Sequence, residues 1–162
     1  ILSTIAIAAS AGGDSKNTAS KGVKASTKFD IGEKWISKAK KFEKKNKVVK
    51  AKKAYEKAIK SLLEANAQNP SDPDTLNLLG FSHRKLGKME DAAFFYNKAL
   101  EINPKHKGAL EYQGEMFLTL NQIGKAEENL KKLDKICFLG CSEFDKLKKS
   151  IMDKRSGKKS SY

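Results

Sequence analysis

The chain has 162 residues, a formal net charge of +14 and 39% hydrophobic residues. That is enough for one ordinary domain, and its spaced apolar positions exclude wholesale disorder. Of 33 basic side chains only Arg84 and Arg155 are arginine, so the chain lacks the planar donors that specific nucleic-acid recognition favours.

The charge is unevenly placed. Lys and Arg minus Asp and Glu give +2 for residues 1–30, +8 for 31–70, 0 for 71–136 and +4 for 137–162. The middle is neutral. The basic flanks read as solvated lysine faces or as a surface for an anionic partner.

Residues 1–11 (ILSTIAIAASA) are uncharged and mostly apolar, too short to cross a bilayer as a helix. They end in Ala9-Ser10-Ala11, the small-x-small pattern of a signal-peptide cleavage site. The run reads as a truncated signal peptide, which makes the protein an exported, periplasmic bacterial one. Residues 12–30 are rich in Gly, Ser, Thr and Lys and read as a flexible linker.

Helical signals begin near Ile31. Ile31, Trp35, Ile36, Ala39 and Phe42 form an apolar stripe, and Lys45-Asn46-Lys47 is a turn. A second helix is expected over 48–68, with Val49, Ala54, Ala58, Leu62 and Ala65 on its inner face. Asn69 to Asp74 stops it and opens a third helix over 73–86. Ser71 or Asp72 is the cap, Pro73 takes the first position and Asp74 completes a capping box with Ser71. Three more helices are expected over 89–102, 107–120 and 123–137. Ser142 and Asp145 make a capping box for a last helix over 142–154, and 155–162 is a disordered tail.

One constant step along the chain links Ala58, Ala92 and Ala126, then Leu62, Tyr96 and Leu130, then Ala65, Ala99 and Leu133. It also links Pro70 to Pro104, and Leu76 and Gly80 to Leu110 and Gly114. In-phase small residues at a period of about 34 residues mean stacked helical hairpins that cross closely. Leu76, Leu79, Gly80, Gly87, Ala92, Tyr96, Ala99 and Pro104 resemble the tetratricopeptide-repeat signature over 73–106, with His83 at the usual aromatic position. Residues 107–140 resemble it through Leu110, Gly114, Phe117, Ala126, Leu130 and Leu133, with Gln113 in the usual Leu place. Residues 31–72 form a degenerate first repeat: Lys45 and Asn46 replace the Leu-Gly pair, so its first helix is displaced and built around Trp35. The resemblance implies an all-α, right-handed helix-turn-helix solenoid of about two and a half to three repeats, closed by a capping helix through Phe144, Leu147 and Ile151. The repeat phrasing and the Cys-x3-Cys spacing are similar to exported bacterial members.

The resemblance also places the first helix of each repeat along a concave groove that binds extended or helical peptides. The exposed stripe there is Asn77, Phe81, Arg84 and Lys85 on the third helix, and Glu111, Glu115, Leu118 and Thr119 on the fifth. An exposed Phe81 beside Arg84, with two carboxylates one repeat away, suits a peptide with an apolar anchor and a cationic group. The family's clamp for a C-terminal carboxylate is not reproduced, because Asn77 and Phe81 occupy its positions, so an acidic tail is not the expected ligand.

Cys137 and Cys141 are the only cysteines. In an oxidising compartment they most simply form a disulfide that sets the entry of the capping helix; metal binding, redox activity and free thiols are the other readings. No nucleophile–base set, phosphate loop or metal-ligand cluster is evident. The expectation is therefore a non-catalytic adaptor without cofactor, binding a segment of another protein. The alternative is a basic protein whose lysines in 34–60 and 146–159 dock on anionic lipid or cell-wall polymer.

Overall fold

The computed structural model describes residues 27–158. The apolar run 1–11, most of the 12–30 linker and residues 159–162 lie outside the described residues. Seven helices follow one another among the described residues: α1 (Lys28–Lys44), α2 (Val48–Gln68), α3 (Pro73–Lys85), α4 (Met89–Ile102), α5 (Lys107–Thr119), α6 (Ile123–Ile136) and α7 (Ser142–Arg155). Each packs on its predecessor to give an all-α stack of hairpins.

Helix ends follow local chemistry, with three corrections. Thr27 Oγ1 accepts from the Asp30 amide at 3.1 Å and Asp30 Oδ2 accepts from the Thr27 amide at 2.8 Å. This capping box starts α1 at Lys28, so residues 28–30 are helix and not linker. At α3 the cap is Asp72, which accepts from the amides of Asp74 and Thr75. No Ser71–Asp74 box forms, because Asp74 is turned to His106 Nε2 at 3.0 Å. At α7 the cap position is Cys141 and Ser142 is already helical, so the expected Ser142–Asp145 box is absent too.

The three hairpins turn identically. Asn46, Gly87 and Asn121 have φ of 53°, 80° and 60°, each two positions past the end of its first helix. The amides of Lys47, Lys88 and Gln122 reach back to the carbonyls of Phe42, His83 and Phe117 at 2.9, 3.0 and 2.8 Å, closing Schellman motifs. Asn46 is thus the counterpart of Gly87 and Asn121, not a replacement for the glycine of the signature.

That glycine is Gly32. A Cβ on Gly32 would lie 2.6 Å from Leu62, and one on Gly80 would lie 2.6 Å from Tyr96. Leu62 and Tyr96 are one repeat period apart, but Gly32 and Gly80 are separated by considerably more. The surplus lies in the first hairpin and is divided equally between its arms. Past the crossing glycine, α1 runs from Gly32 on to Lys44, whereas α3 runs only from Gly80 to Lys85. On the return arm, α2 starts at Val48 well ahead of Leu62, whereas α4 starts at Met89, much nearer Tyr96. Each arm gains about two helical turns, or about 10 Å. The α1–α2 hairpin therefore overhangs the rest of the stack.

The alanines that mark the period, Ala58, Ala92 and Ala126, are all completely buried. Gln113, the departure from the usual leucine, has its own use. Its amide donates to Asn97 Oδ1 at 2.7 Å and its carbonyl accepts from Asn129 at 2.9 Å, while Asn129 also donates to the Leu110 carbonyl at 3.2 Å. A hydrogen-bonded chain across α4, α5 and α6 replaces an apolar contact, with every link satisfied.

Helix α7 closes the stack. Leu147 and Ile151 are buried with Leu110, Leu118 and Leu133, and Leu147 sits where a Cβ on Gly114 would come within 2.6 Å. Cys137 and Cys141 are joined in the structure, with S–S 2.14 Å and Cα–Cα 5.5 Å, at the entry to α7. So small a loop confers only about 2 kcal/mol by chain entropy. The intact protein should therefore gain two hydrogens on reduction and lose about 2 kcal/mol of stability. Equal masses with and without reductant would remove the crosslink.

Candidate peptide-binding groove

Beneath the overhang lies a cavity of about 610 Å³. Its near wall is mainly the added length of the first hairpin, Lys40, Glu43 and Lys44 from α1 with Val48 and Lys52 from α2, and Tyr55 just behind it on α2. Phe81, Arg84 and Lys85 of α3, Glu111 and Tyr112 of α5 and Lys146 of α7 complete it. Four of the eight groove residues expected from sequence, Phe81, Arg84, Lys85 and Glu111, are brought together here.

The other four are not. Asn77 is buried beside Gly108 between repeats. Glu115 is buried against α7, where Ser150 hydrogen-bonds its carboxylate. Leu118 belongs to the core under the cap. Thr119 is exposed, with its hydroxyl donating to the Glu115 carbonyl at 3.0 Å. Docking of α7 onto α5 explains the losses of Glu115 and Leu118, since the cap covers the face that a further repeat would otherwise share.

Phe81 is not an exposed anchor. It is 4% exposed, edge-on to Tyr55 at 6.0 Å and tilted on Tyr112 at 4.8 Å. Lys40 Nζ stands 4.7 Å from its ring and the Arg84 guanidinium carbon 5.6 Å. The aromatic trio forms the groove floor and the cations crowd its negative faces.

Electrostatics define the groove's preference. Lys40, Lys44, Lys52, Arg84, Lys85 and Lys146 face only Glu43 and Glu111. Glu43 is committed, accepting from the Tyr55 hydroxyl at 3.1 Å and pairing with Lys85 at 2.9 Å. Burial, with that contact, pushes the Tyr55 phenol well above its usual range. Burial also pushes the Glu111 carboxyl up to about 7, although Lys146 Nζ lies 3.8 Å away and pulls the other way. Burial lowers the Lys40 ammonium. Arg84 is 6% exposed, and its Nε and Nη2 find no hydrogen-bond partner among the described residues. Arg84 is in side-chain hydrogen-bond contact with Tyr96, and its charge is felt by Glu111 and Glu115. A buried guanidinium with donors to spare still favours an anionic group. The two-carboxylate arrangement expected for a cationic peptide is not formed: Glu115 is buried against α7, and four lysines invisible as a stripe line the groove instead.

The remaining sequence candidates are structural. His83 stacks on Phe95 at 5.3 Å, and burial holds its imidazole below the usual value. Its Nδ1 lies 3.1 Å from an Asp91 carboxylate oxygen, which pulls the other way. His106 caps α5, its Nδ1 accepting from the Ala109 amide at 3.1 Å. No group of three His, Cys, Asp or Glu suited to a metal ion occurs among the described residues.

The tetratricopeptide-repeat family model matches residues 73–106, the segment from Pro73 at the start of α3 to the residue before α5. Residues 73–106 are a tetratricopeptide repeat. Solved tetratricopeptide structures share the fold of the stack. The first such domain of human RPAP3 is 18% identical, with a TM-score of 0.58 over 82% of this chain and 98% of that one. The first repeat domain of Spaghetti (RPAP3), bound to the HSP90 peptide SRMEEVD, is 16% identical, with a TM-score of 0.57 over 79% and 98%. The Yersinia enterocolitica type III secretion chaperone SycD, in complex with a peptide of the translocator YopD, is 18% identical, with a TM-score of 0.55 over 77% and 89%. No curated protein matches the sequence. The overhang was missed in sequence because the repeat period was applied to a hairpin lengthened on both arms; a search for the crossing glycine further upstream finds Gly32.

Proposed function

We propose that this protein is a non-catalytic scaffold that holds an acidic segment of another protein in the groove under the α1–α2 overhang. The observation that carries this reading is the buried, incompletely partnered Arg84 on an aromatic floor, ringed by lysines. Both peptide-bound neighbours, with an HSP90 peptide and a YopD peptide, support a peptide as the occupant. The Cys137–Cys141 bond suits an oxidising compartment, and with the apolar residues 1–11 it supports a periplasmic setting in a bacterium.

Immobilised peptides of equal length, rich in Glu, in Ser or in Lys, test the reading. The protein should be retained by the acidic set, and Lys44→Glu/Lys52→Glu should weaken retention at least about tenfold, because two attractive contacts become repulsive. Equal retention by acidic and neutral peptides would defeat it.

A further inference from the structure

The overhanging hairpin has a second face that the groove does not use. On α1, Lys40, Glu43 and Lys44 look into the groove, while Trp35, Lys38 and Phe42 lie on the other side, beside Lys50, Lys53 and Lys57 of α2. At the tip, Val48 and Val49 are 60% and 68% exposed. Lys45, Lys47, Lys50 and Lys53 around them are exposed too. Further back, Trp35 is half-buried, with Lys57 Nζ 4.4 Å and Lys38 Nζ 4.7 Å from its ring. Among the described residues no carboxylate pairs with Lys38, Lys50, Lys53 or Lys57. Glu56 shares the exposed surface of α2 but cannot offset this many cations.

We propose that this tip and outer face dock on an anionic phospholipid bilayer, with Val49 entering the interface and the lysines lying over the headgroups. Three features select this occupant. The tip projects, so it can insert into a soft surface but cannot enclose a chain. Lysine is a hydrated point charge suited to a diffuse anionic layer, each one near such a surface contributing about fivefold in binding. Trp35, an amphipathic ring among ammonium groups, is the residue type that settles at headgroup depth. No helix among the described residues is long and apolar enough to cross a membrane.

The test is co-sedimentation of the full chain with phosphatidylcholine vesicles, with and without phosphatidylglycerol. Binding is expected only with the anionic lipid, and it should fall steeply as salt is raised. The triple variant Val49→Asp/Lys50→Glu/Lys53→Glu alters exposed residues that do not line the groove. It should lose binding at least about a hundredfold, from the two reversed charges alone, and still retain acidic peptides. Emission from Trp35, the single tryptophan of the chain, should change on anionic vesicles only. Equal sedimentation with neutral vesicles, or vesicle binding unaffected by the triple variant, would overturn the proposal. So would capture by soluble polyglutamate without capture by vesicles. Failure of the vesicle assay alongside intact peptide retention would leave the groove reading standing.

Discussion

Replacing Gly80 by alanine lowers stability by about 2 kcal/mol, while the same replacement at Gly124 leaves it unchanged or raises it by about 0.5 kcal/mol. Both glycines lie inside helices, where alanine is intrinsically better by roughly 0.5–1 kcal/mol. Space decides the sign. At Gly80 the new methyl would lie 2.6 Å from Tyr96 Cδ1 and 3.0 Å from its Cγ, at the root of a fully buried ring that cannot swing aside. Overpacking of this kind costs about 1–3 kcal/mol. At Gly124 nothing lies within 4 Å. Chemical denaturation of the two variants checks the pair. Equal shifts would mean that Gly80 is not a crossing point, and the stacked-hairpin account would lose its main support.

Glu111→Gln stabilises the protein at pH 8 by up to about 3 kcal/mol and has no such effect near pH 4.5. The carboxyl is 2% exposed, and burial raises it from an ordinary 4.5 to about 7 in the folded chain. Below about 4.5 the group is protonated whether folded or not, so folding carries no penalty. As pH rises from 4.5 to 7, the unfolded chain ionises first and the folded state is progressively disfavoured. Above 7 the full cost is present, about 1.4 kcal/mol per pH unit of separation. Glutamine has no charge to bury, so its advantage follows the same window. Urea midpoints at the two pH values measure this, and an equal gain at both would show that Glu111 is not a strained carboxylate. Protonation also removes one of the two negative charges lining the groove, so acidic peptides should bind more tightly at pH 6 than at pH 8.

Much of the fold was readable along the chain because helices and their turns are written locally. The apolar spacing and the breaks at Asn69-Pro70, Gly87 and Pro104 set six of the seven helices within a residue or so of their observed ends. The exception, the start of α1, was hidden because Thr27 and Asp30 lie in a Ser, Thr and Lys-rich stretch whose composition outweighed a capping box. The groove was half legible. Arg84, Lys85, Phe81 and Glu111 sit on first-helix faces, and helical spacing finds those. Lys40, Lys44 and Lys52 belong to the extension, and Lys146 to the cap, so no repeat position points to them.

Period, turn type and small-residue phase are properties of neighbours in sequence, each governed by backbone geometry over one or two turns. They determined by themselves that the chain stacks hairpins of tetratricopeptide type. Burial and electrostatic sign depend on what arrives through space. Only the tertiary structure decided that Phe81 is floor and not anchor, that Glu115 faces Ser150 while Glu111 meets Lys146, and that two extra turns on α1 and α2 roof a cationic groove. Helix-to-helix docking couples residues far apart along the chain, and no local pattern carries that information.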